Sequence, residues 1–487
     1  MTGCTGVVGP EEGWIDGVDA GPSTGQLADA GESVDPSADA APPQDQPLAA
    51  GVSIRDIDVY QTVAVPLVRD GAAITSRSAP VIAGADALFA IHVDVDRGFS
   101  PRTIDARVTI DGVEYASQHD VRQSSDDTPA TALRVNVPGE AIAQGASFEV
   151  SLHELDIAPA QDAVGARYPA DGVAELGAVS AGGPLHLVVV PFRYNADGSG
   201  RLPPTEAAAD AYYEAFKAIF PVADVELTVR NPVDMSMSLA TSDGWSDWLG
   251  LLRAVREADA PSHNTYYYGI AAPASSFRGY CSGSCIAGLG HVPSAGNSFL
   301  FASVGVSFDD ALGVGTAVHE VGHTMGRRHA PCGGASGVDS SYPYQGASIG
   351  SWGYDFRRGE FKSPSQFTDV MGYCRSQWIS DYQYRSVYDR ISTVNAMAPA
   401  HIGPPQTYRV GTVDADGEIE WERYATLDVP ATGGELEVSL LGDAGGEIGV
   451  ATGHFYPYSH LPGGVVYMPI DDDHSAAAAA PAGILAR

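Results

Sequence analysis

Apolar and polar residues alternate within short stretches along the first part of the chain. Runs with a period of two recur from Val52 to roughly Leu155, and turns rich in Gly, Pro and Asp separate them. Successive side chains of a strand face opposite sides, so this pattern is typical of strands with one buried face. It predicts an antiparallel β-sandwich domain over residues 51–183.

The pattern changes at Pro184, where strand-like apolar runs begin to alternate with segments of helical periodicity. Such alternation predicts an α/β domain over residues 184–398. Its expected elements are a strand in LHLVVVPF, helices over 205–220, 245–258, from near 309 and over 381–395, and strands over 225–229, 265–270, 286–292 and 299–304. Ser380 or Asp381 is the expected N-cap of the last helix.

Three further segments complete the predicted organisation. Residues 1–50 consist mainly of Ala, Asp, Gly, Pro and Ser, and this composition predicts a disordered tether. Residues 399–470 are again β-rich and predict a small domain, whereas 471–487 have the composition of a disordered tail. The chain is therefore expected to be multidomain.

Composition and charge exclude some classes of partner. Acidic residues outnumber basic ones 61 to 27, which gives a formal net charge of −34. Such a charge repels phosphate backbones and anionic lipid, so we expect no nucleic-acid partner. No run approaches the roughly 20 apolar residues that span a bilayer. The composition does not specify an oligomeric state.

The most informative motif is HEVGHTMGRRH, which starts at His319. On a helix, His319 and His323 project from the same face one turn apart, so both imidazoles can reach one metal ion. Gly326 can take the left-handed conformation that ends the helix, which lets His329 return as a third ligand. Glu320 lies beside the first ligand and is the candidate general base.

This long H-E-x-x-H-x-x-G-x-x-H pattern resembles that of the metzincin clan of zinc endopeptidases. The resemblance covers Pro184 to about Pro399. Metzincins carry a Met-containing turn beneath the metal, and Met371 in DVMGYC lies where that turn is expected. The expected fold is thus an α/β metzincin-like catalytic domain flanked by an N-terminal β-sandwich and a small C-terminal β-rich segment.

The resemblance also implies a mechanism. It implies one catalytic Zn²⁺ on His319, His323 and His329, and Glu320 acting on a water that attacks a protein or peptide substrate. Tyr373 follows Met371 by two positions, as does a tyrosine that approaches zinc in several metzincin families, although packing is the ordinary role of a tyrosine. The strand over 286–292 corresponds to the substrate-pairing edge strand, with His291 expected at the surface rather than on the metal.

Two other functions are compatible with the sequence. The chain could be a cell-surface adhesin or glycan-binding protein whose β-rich segments bind the ligand and whose zinc domain is degenerate. The retained Glu320 argues against this alternative. A zinc hydrolase acting on another amide is the second alternative. The substrate, the subfamily, the activation mechanism and any structural calcium are left open by the sequence.

Four cysteines lie inside the metzincin-like segment and allow three pairings. The resemblance brings His329 and the Met-turn together under one metal, and it therefore implies a Cys332–Cys374 disulfide, which leaves Cys281 with Cys285. A second zinc site made of four thiolates is the alternative. Disulfides would indicate an extracellular or cell-surface location.

The fifth cysteine, Cys4, follows Met1, Thr2 and Gly3 and resembles the lipidated cysteine of a bacterial lipoprotein signal. The segment that follows it has the composition expected of a disordered tether. We therefore expect Cys4 to be a lipidation site, and a lipid there to be the chain's only contact with a membrane. A chance Gly-Cys pair is the competing explanation.

Lipidation of Cys4 requires a signal upstream of Met1. We predict that the coding frame before Met1 specifies basic residues and then a hydrophobic run of roughly ten residues. Reading that frame is the test, and a polar upstream sequence would eliminate the lipid anchor.

Overall fold

A computed structural model describes residues 46–155, 163, 165–283, 285–308, 311–397, 404–441 and 446–470. These residues form two compact units. The first unit comprises described residues up to Ser180 together with Trp352–Phe361, and the second comprises Ala181–Ser351 and the residues from Lys362 on. Within the described part of the chain, no helix is both long and apolar enough to cross a membrane.

The first unit consists almost entirely of strands. Its strands are β1 (Val52–Tyr60), β2 (Ala64–Arg69), β3 (Ala72–Ala73), β4 (Val81–Ile82), β5 (Ala87–Val95), β6 (Arg102–Ile110), β7 (Val113–Val121), β8 (Leu133–Val137), β9 (Ser147–Glu154), β10 (Arg167–Tyr168), β11 (Ala174–Glu175) and β12 (Ala178–Val179). One sheet has the order β3-β2-β1-β5-β8, and the other has the order β10-β9-β6-β7 with β11 beside β9. Phe89 of the first sheet contacts Phe148 of the second, with ring centroids 6.1 Å apart, so the sheets share an apolar core.

The first unit extends beyond its predicted limits at two places. Leu48 bridges His153 and Ala49 is fully buried, so residues 46–50 belong to this unit rather than to the predicted tether, whose residues 1–45 lie outside the described part. Trp352–Phe361, placed by the sequence analysis in the α/β domain, packs its aromatic rings against Tyr60. A ten-residue segment that packs with a distant part of the chain leaves no periodic pattern in the sequence.

The second unit begins with an α/β layer. Its elements are β13 (Leu185–Tyr194), α1 (Thr205–Ile219), β14 (Val225–Val229), β15 (Val233–Met235), α2 (Ser242–Asp259), β16 (Thr265–Ala271), α3 (Phe277–Tyr280), β17 (Gly288–Gly290), β18 (Ala302–Val306) and α4 (Ala311–Thr324). The sheet order is β14-β13-β16-β18-β17, with β15 also pairing with β13. All these pairs are parallel except β17 with β18, so β17 is an antiparallel edge strand.

Local signals in the sequence set the ends of the helices. The Thr241 side chain accepts a hydrogen bond from Gly244 N at the start of α2, and Ala260 closes that helix in the left-handed conformation. After β19 (Gly353–Asp355), β20 (Glu360–Lys362), β21 (Thr368–Asp369) and β22 (Gln377–Trp378) comes α5 (Asp381–Ala396). Ser380 is its N-cap and accepts a hydrogen bond from Gln383 N.

A five-stranded antiparallel sheet ends the described chain. Its strands are β23 (Gln406–Val413), β24 (Ile419–Leu427), β25 (Gly434–Leu441), β26 (Glu447–Pro457) and β27 (Gly464–Pro469), in the order β24-β23-β27-β26-β25. Arg253 of α2, buried completely, donates to the Tyr467 hydroxyl at 3.2 Å. The predicted small domain over 399–470 therefore packs within the second unit, and the predicted tail over 471–487 lies outside the described residues.

The core of the second unit contains a large, fully buried side chain whose removal should destabilise the protein. Trp248 is fully buried against Phe192 and Trp245, with ring centroids 5.7 and 5.3 Å away. We expect Trp248→Ala to lower the free energy of unfolding by about 3–5 kcal/mol, because the cavity cannot collapse fully. Urea denaturation followed by circular dichroism measures this loss.

Val229→Ala provides the control, because Val229 on the edge strand β14 is 46% exposed. Its effect should stay within about 0.5 kcal/mol. Equal losses for the two variants would contradict the placement of Trp248 in the core.

Candidate active site

The helix α4 carries the first part of the site. His319 and His323 lie four residues apart on one face of it, and Glu320 lies beside them; each of the three is at most 2% exposed. The helix ends at Thr324, and Gly326 shortly after it has a φ of 78°, in the left-handed region. This reversal returns the chain, so that Nε2 of His329 lies 3.1 Å from Nε2 of His323.

Hydrogen bonds fix the orientation of all three imidazoles. Nδ1 of His319 contacts the Val370 carbonyl at 2.8 Å, Nδ1 of His323 contacts the Arg327 carbonyl at 2.7 Å, and Nδ1 of His329 contacts the Ser336 carbonyl. A carbonyl oxygen can only accept, so Nδ1 carries the proton in each ring. Nε2 is then the unprotonated nitrogen, as a metal ligand requires.

The three Nε2 atoms converge on one point. His323 Nε2 lies 3.1 Å from Nε2 of both His319 and His329. Unprotonated nitrogens at this distance repel one another unless a cation lies between them, and Zn²⁺ with Zn–N bonds of about 2.0–2.1 Å suits the spacing. Burial lowers the pKa of His329 to about 3 and that of the other two rings well below the usual value, which keeps all three neutral.

A turn centred on Met371 supports the ligands. Asp369 accepts hydrogen bonds from Met371 N at 2.8 Å and from Ser380 N at 2.9 Å, which ties the turn to the start of α5. A Cβ on Gly322 would lie only 2.6 Å from the Met371 sulfur, so the glycine lets the methionine pack directly against the ligand-bearing helix. The turn also supplies the Val370 carbonyl that orients His319.

Both pairs of cysteines are disulfide-bonded. Cys332 is bonded to Cys374, and Cys281 is bonded to Cys285. The first bond joins the segment after His329 to the segment after Met371, so it holds two parts of the site together. Because all four sulfurs are oxidised in these bonds, they do not form the alternative thiolate zinc site.

Tyr373 projects its hydroxyl into the site. This hydroxyl lies 3.1 Å from His329 Nε2 and forms a hydrogen bond with Nδ1 of His460. The hydroxyl therefore lies between the third motif histidine and His460. A tyrosine in packing alone would not place its polar end among ligand nitrogens.

His460 is a fourth imidazole that the sequence analysis missed. It lies in the connection between β26 and β27, and its Nε2 is 2.8 Å from Glu320 Oε1. Ligand atoms of His460 and the three motif histidines lie within 4.8 Å of one another. The only signal in the sequence is a single histidine in the turn SHLPGG, one of 13 in the chain, so spacing could not have identified it.

Glu320 is buried against the glycines of β17 and beside His460. Burial raises the pKa of its carboxyl, and the neighbouring His460 opposes this shift. A Cβ on Gly288 of β17 would overlap the carboxylate, so only glycine fits there. Within the described residues Glu320 Oε2 accepts no hydrogen bond, which leaves an oxygen able to receive a proton from a bound molecule.

His291 does not lie at the surface, contrary to the sequence-based expectation. It is completely buried, its ring stacks on Tyr458 at 5.2 Å between centroids, and it is not among the clustered histidines. Burial and the positive charge of Arg253 lower its pKa to about 3. The covering surface comes from the C-terminal sheet, which lies far away in sequence. Cys4, the predicted lipidation site, lies outside the described residues.

Part of the chain matches a known protein family. Residues 291–395 match the family model described as Peptidase M66, a family of zinc metallopeptidases. The matched segment contains all three motif histidines, Glu320, Met371 and Tyr373. A comparison with curated protein sequences finds no match. The family match and the buried histidine cluster together identify the chain as a zinc metallopeptidase, a hydrolase that acts on a protein or peptide substrate.

Proposed function

We propose that the chain is a metzincin-like endopeptidase that uses zinc on His319, His323 and His329 to hydrolyse extracellular proteins. The observation that carries this proposal is the convergence of three unprotonated Nε2 atoms at 3.1 Å spacings in a buried site. The long motif, the reversal at Gly326 and the turn at Met371 support a metzincin-like centre.

Zinc held by three neutral imidazoles would act as a Lewis acid toward the scissile carbonyl and would acidify a water. Glu320 then serves as the proton carrier: one carboxylate oxygen takes a proton from the attacking water and later gives it to the departing amine. Its burial suits this task, because a raised pKa brings a carboxylate closer to the basicity needed at neutral pH.

Tyr373 is the proposed donor to the oxyanion of the tetrahedral intermediate. Its hydroxyl lies on the opposite side of His460 from Glu320, since it contacts Nδ1 while Glu320 lies beside Nε2. Base and oxyanion donor thus flank the same small space. A donor placed there strengthens its hydrogen bond as negative charge develops on the oxygen.

The two disulfides support an extracellular or cell-surface location, because such bonds persist in oxidising compartments. A lipid anchor at Cys4 is part of this proposal and depends on the sequence that precedes Met1.

Substitution of a metal ligand and substitution of the proposed base should have different effects on the zinc content of the protein. We expect each of His319→Ala, His323→Ala and His329→Ala to lose zinc, whereas Glu320→Ala should keep it and lose at least roughly 10²–10³-fold in kcat. Elemental analysis of dialysed protein measures the metal, and cleavage of a denatured protein substrate measures the rate.

His186→Ala is the matched control, because His186 lies on β13 and pairs with Glu226 outside the site. It should keep both zinc and activity. Peptide cleavage by Glu320→Ala at the wild-type rate would refute the assignment of the base.

The Tyr373 hydroxyl should act mainly in the transition state. We expect Tyr373→Phe to lower kcat by roughly 10²-fold and to change KM little, because an oxyanion donor contributes little to ground-state binding. Steady-state kinetics on a single peptide measure the two constants.

Tyr213→Phe serves for comparison and should keep the wild-type kcat, since Tyr213 lies on α1 and its hydroxyl donates to the exposed carboxylate of Asp224. An unchanged kcat for Tyr373→Phe would assign Tyr373 to packing.

A further inference from the structure

A segment of the C-terminal sheet pairs with the edge strand of the α/β layer. Tyr458 forms an antiparallel bridge with His291 just after β17. Ser459 N donates to the Gly290 carbonyl at 2.9 Å, and Gly290 N donates to the Ser459 hydroxyl at 3.1 Å. The connection between β26 and β27 therefore extends the edge of the sheet.

This edge is where a peptide substrate would have to lie. β17 is the outermost strand of its sheet, and a Cβ on Gly290 would come within 3.5 Å of Glu320 Oε2, so the strand runs directly past the base. An extended peptide binds most simply by adding a strand to such an exposed edge. The backbone groups of Gly290 that would pair with it are already bonded to Ser459.

The same segment delivers His460 into the reaction space. The imidazole lies between Glu320 Oε1, 2.8 Å from its Nε2, and the Tyr373 hydroxyl, which bonds its Nδ1. Its side chain is 8% exposed, so it is enclosed rather than lying at the rim. A water and a scissile carbonyl would need this space between base and oxyanion donor.

We propose that the segment 457–461 is a built-in, displaceable occupant of the active site, and that His460 is the fourth metal ligand of the resting enzyme. The proposal rests on the metallopeptidase function given above. Three protein ligands leave a catalytic metal one open position. A fourth imidazole closes it, as in structural zinc sites, when one nitrogen of His460 exchanges its contact with Glu320 or Tyr373 for the metal. A substrate strand must displace both the edge pairing of Ser459 and the His460 side chain.

Such an occupant reduces the apparent affinity of every competing ligand. Only the fraction of molecules with the segment displaced can bind, so the apparent dissociation constant rises by the inverse of that fraction. Removing the imidazole should therefore strengthen the binding of any small ligand that seeks the open metal position.

The first test uses the cobalt-substituted protein and azide, and it needs no catalysis. We expect His460→Ala to change the visible absorption of bound Co²⁺, because one nitrogen ligand is replaced by water. Azide should bind the His460→Ala protein at least roughly tenfold more tightly than the wild type. His454→Ala, on β26 of the same sheet, is the matched control and should resemble the wild type.

A second variant keeps the imidazole and weakens only the anchor. Ser459→Ala removes the hydroxyl that accepts from Gly290 N, so its azide affinity should lie between those of the wild type and His460→Ala. Identical cobalt spectra and azide affinities for wild type, His460→Ala and Ser459→Ala would overturn the proposal. Ser459→Ala also keeps the test decisive should His460→Ala fail to fold.

Steady-state kinetics test the role of His460 independently of metal and azide binding. With an unstructured peptide, kcat/KM should rise roughly tenfold in His460→Ala, because the peptide then has to displace only the edge pairing of Ser459. A large fall in kcat/KM would instead assign His460 to the catalytic machinery and overturn its role as an occupant.

Failure of this proposal and failure of the peptidase function are distinguishable. If azide binds His460→Ala more tightly than the wild type while neither protein cleaves any peptide, the peptidase function is refuted. The proposal that segment 457–461 occupies the site is then supported. If both proteins cleave peptides and bind azide equally, the occupant fails and the peptidase function stands.

Discussion

The convergence of three unprotonated imidazole nitrogens is the constraint on which the centre of the molecule depends. Lone pairs 3.1 Å apart in a buried space are tolerable only with a cation between them, so metal binding and local folding are coupled. The backbone carbonyls of Val370, Arg327 and Ser336 hold the rings in this arrangement. Each carbonyl comes from a different local structure, and each must be in place before the metal site exists.

The carbonyls explain why the surrounding structure is tied together so closely. Val370 belongs to the turn anchored by Asp369, and that turn packs against Gly322 through Met371. The Cys332–Cys374 bond fastens the same turn to the segment that follows the third ligand. These contacts orient the three imidazoles and determine which ring nitrogen carries the proton.

The C-terminal sheet contributes residues to the site that lie outside the metal-binding motif. His460 lies beside Glu320 and Tyr373, while Ser459 pairs with the edge strand through Gly290. One short connection thus contacts both the histidine cluster and the backbone of the edge strand β17. The predicted small β-rich domain over residues 399–470 thus contributes His460 to the histidine cluster and lies within the second unit.

Local features of the sequence determined much of this arrangement. The spacing of His319 and His323 follows from the period of a helix, and the end of that helix follows from the left-handed conformation open to Gly326. The burial of His291, the position of His460 and the packing of residues 352–361 were decided by tertiary structure alone. Contacts between residues far apart in sequence carry no periodicity or fixed spacing, so no pattern along the chain could reveal them.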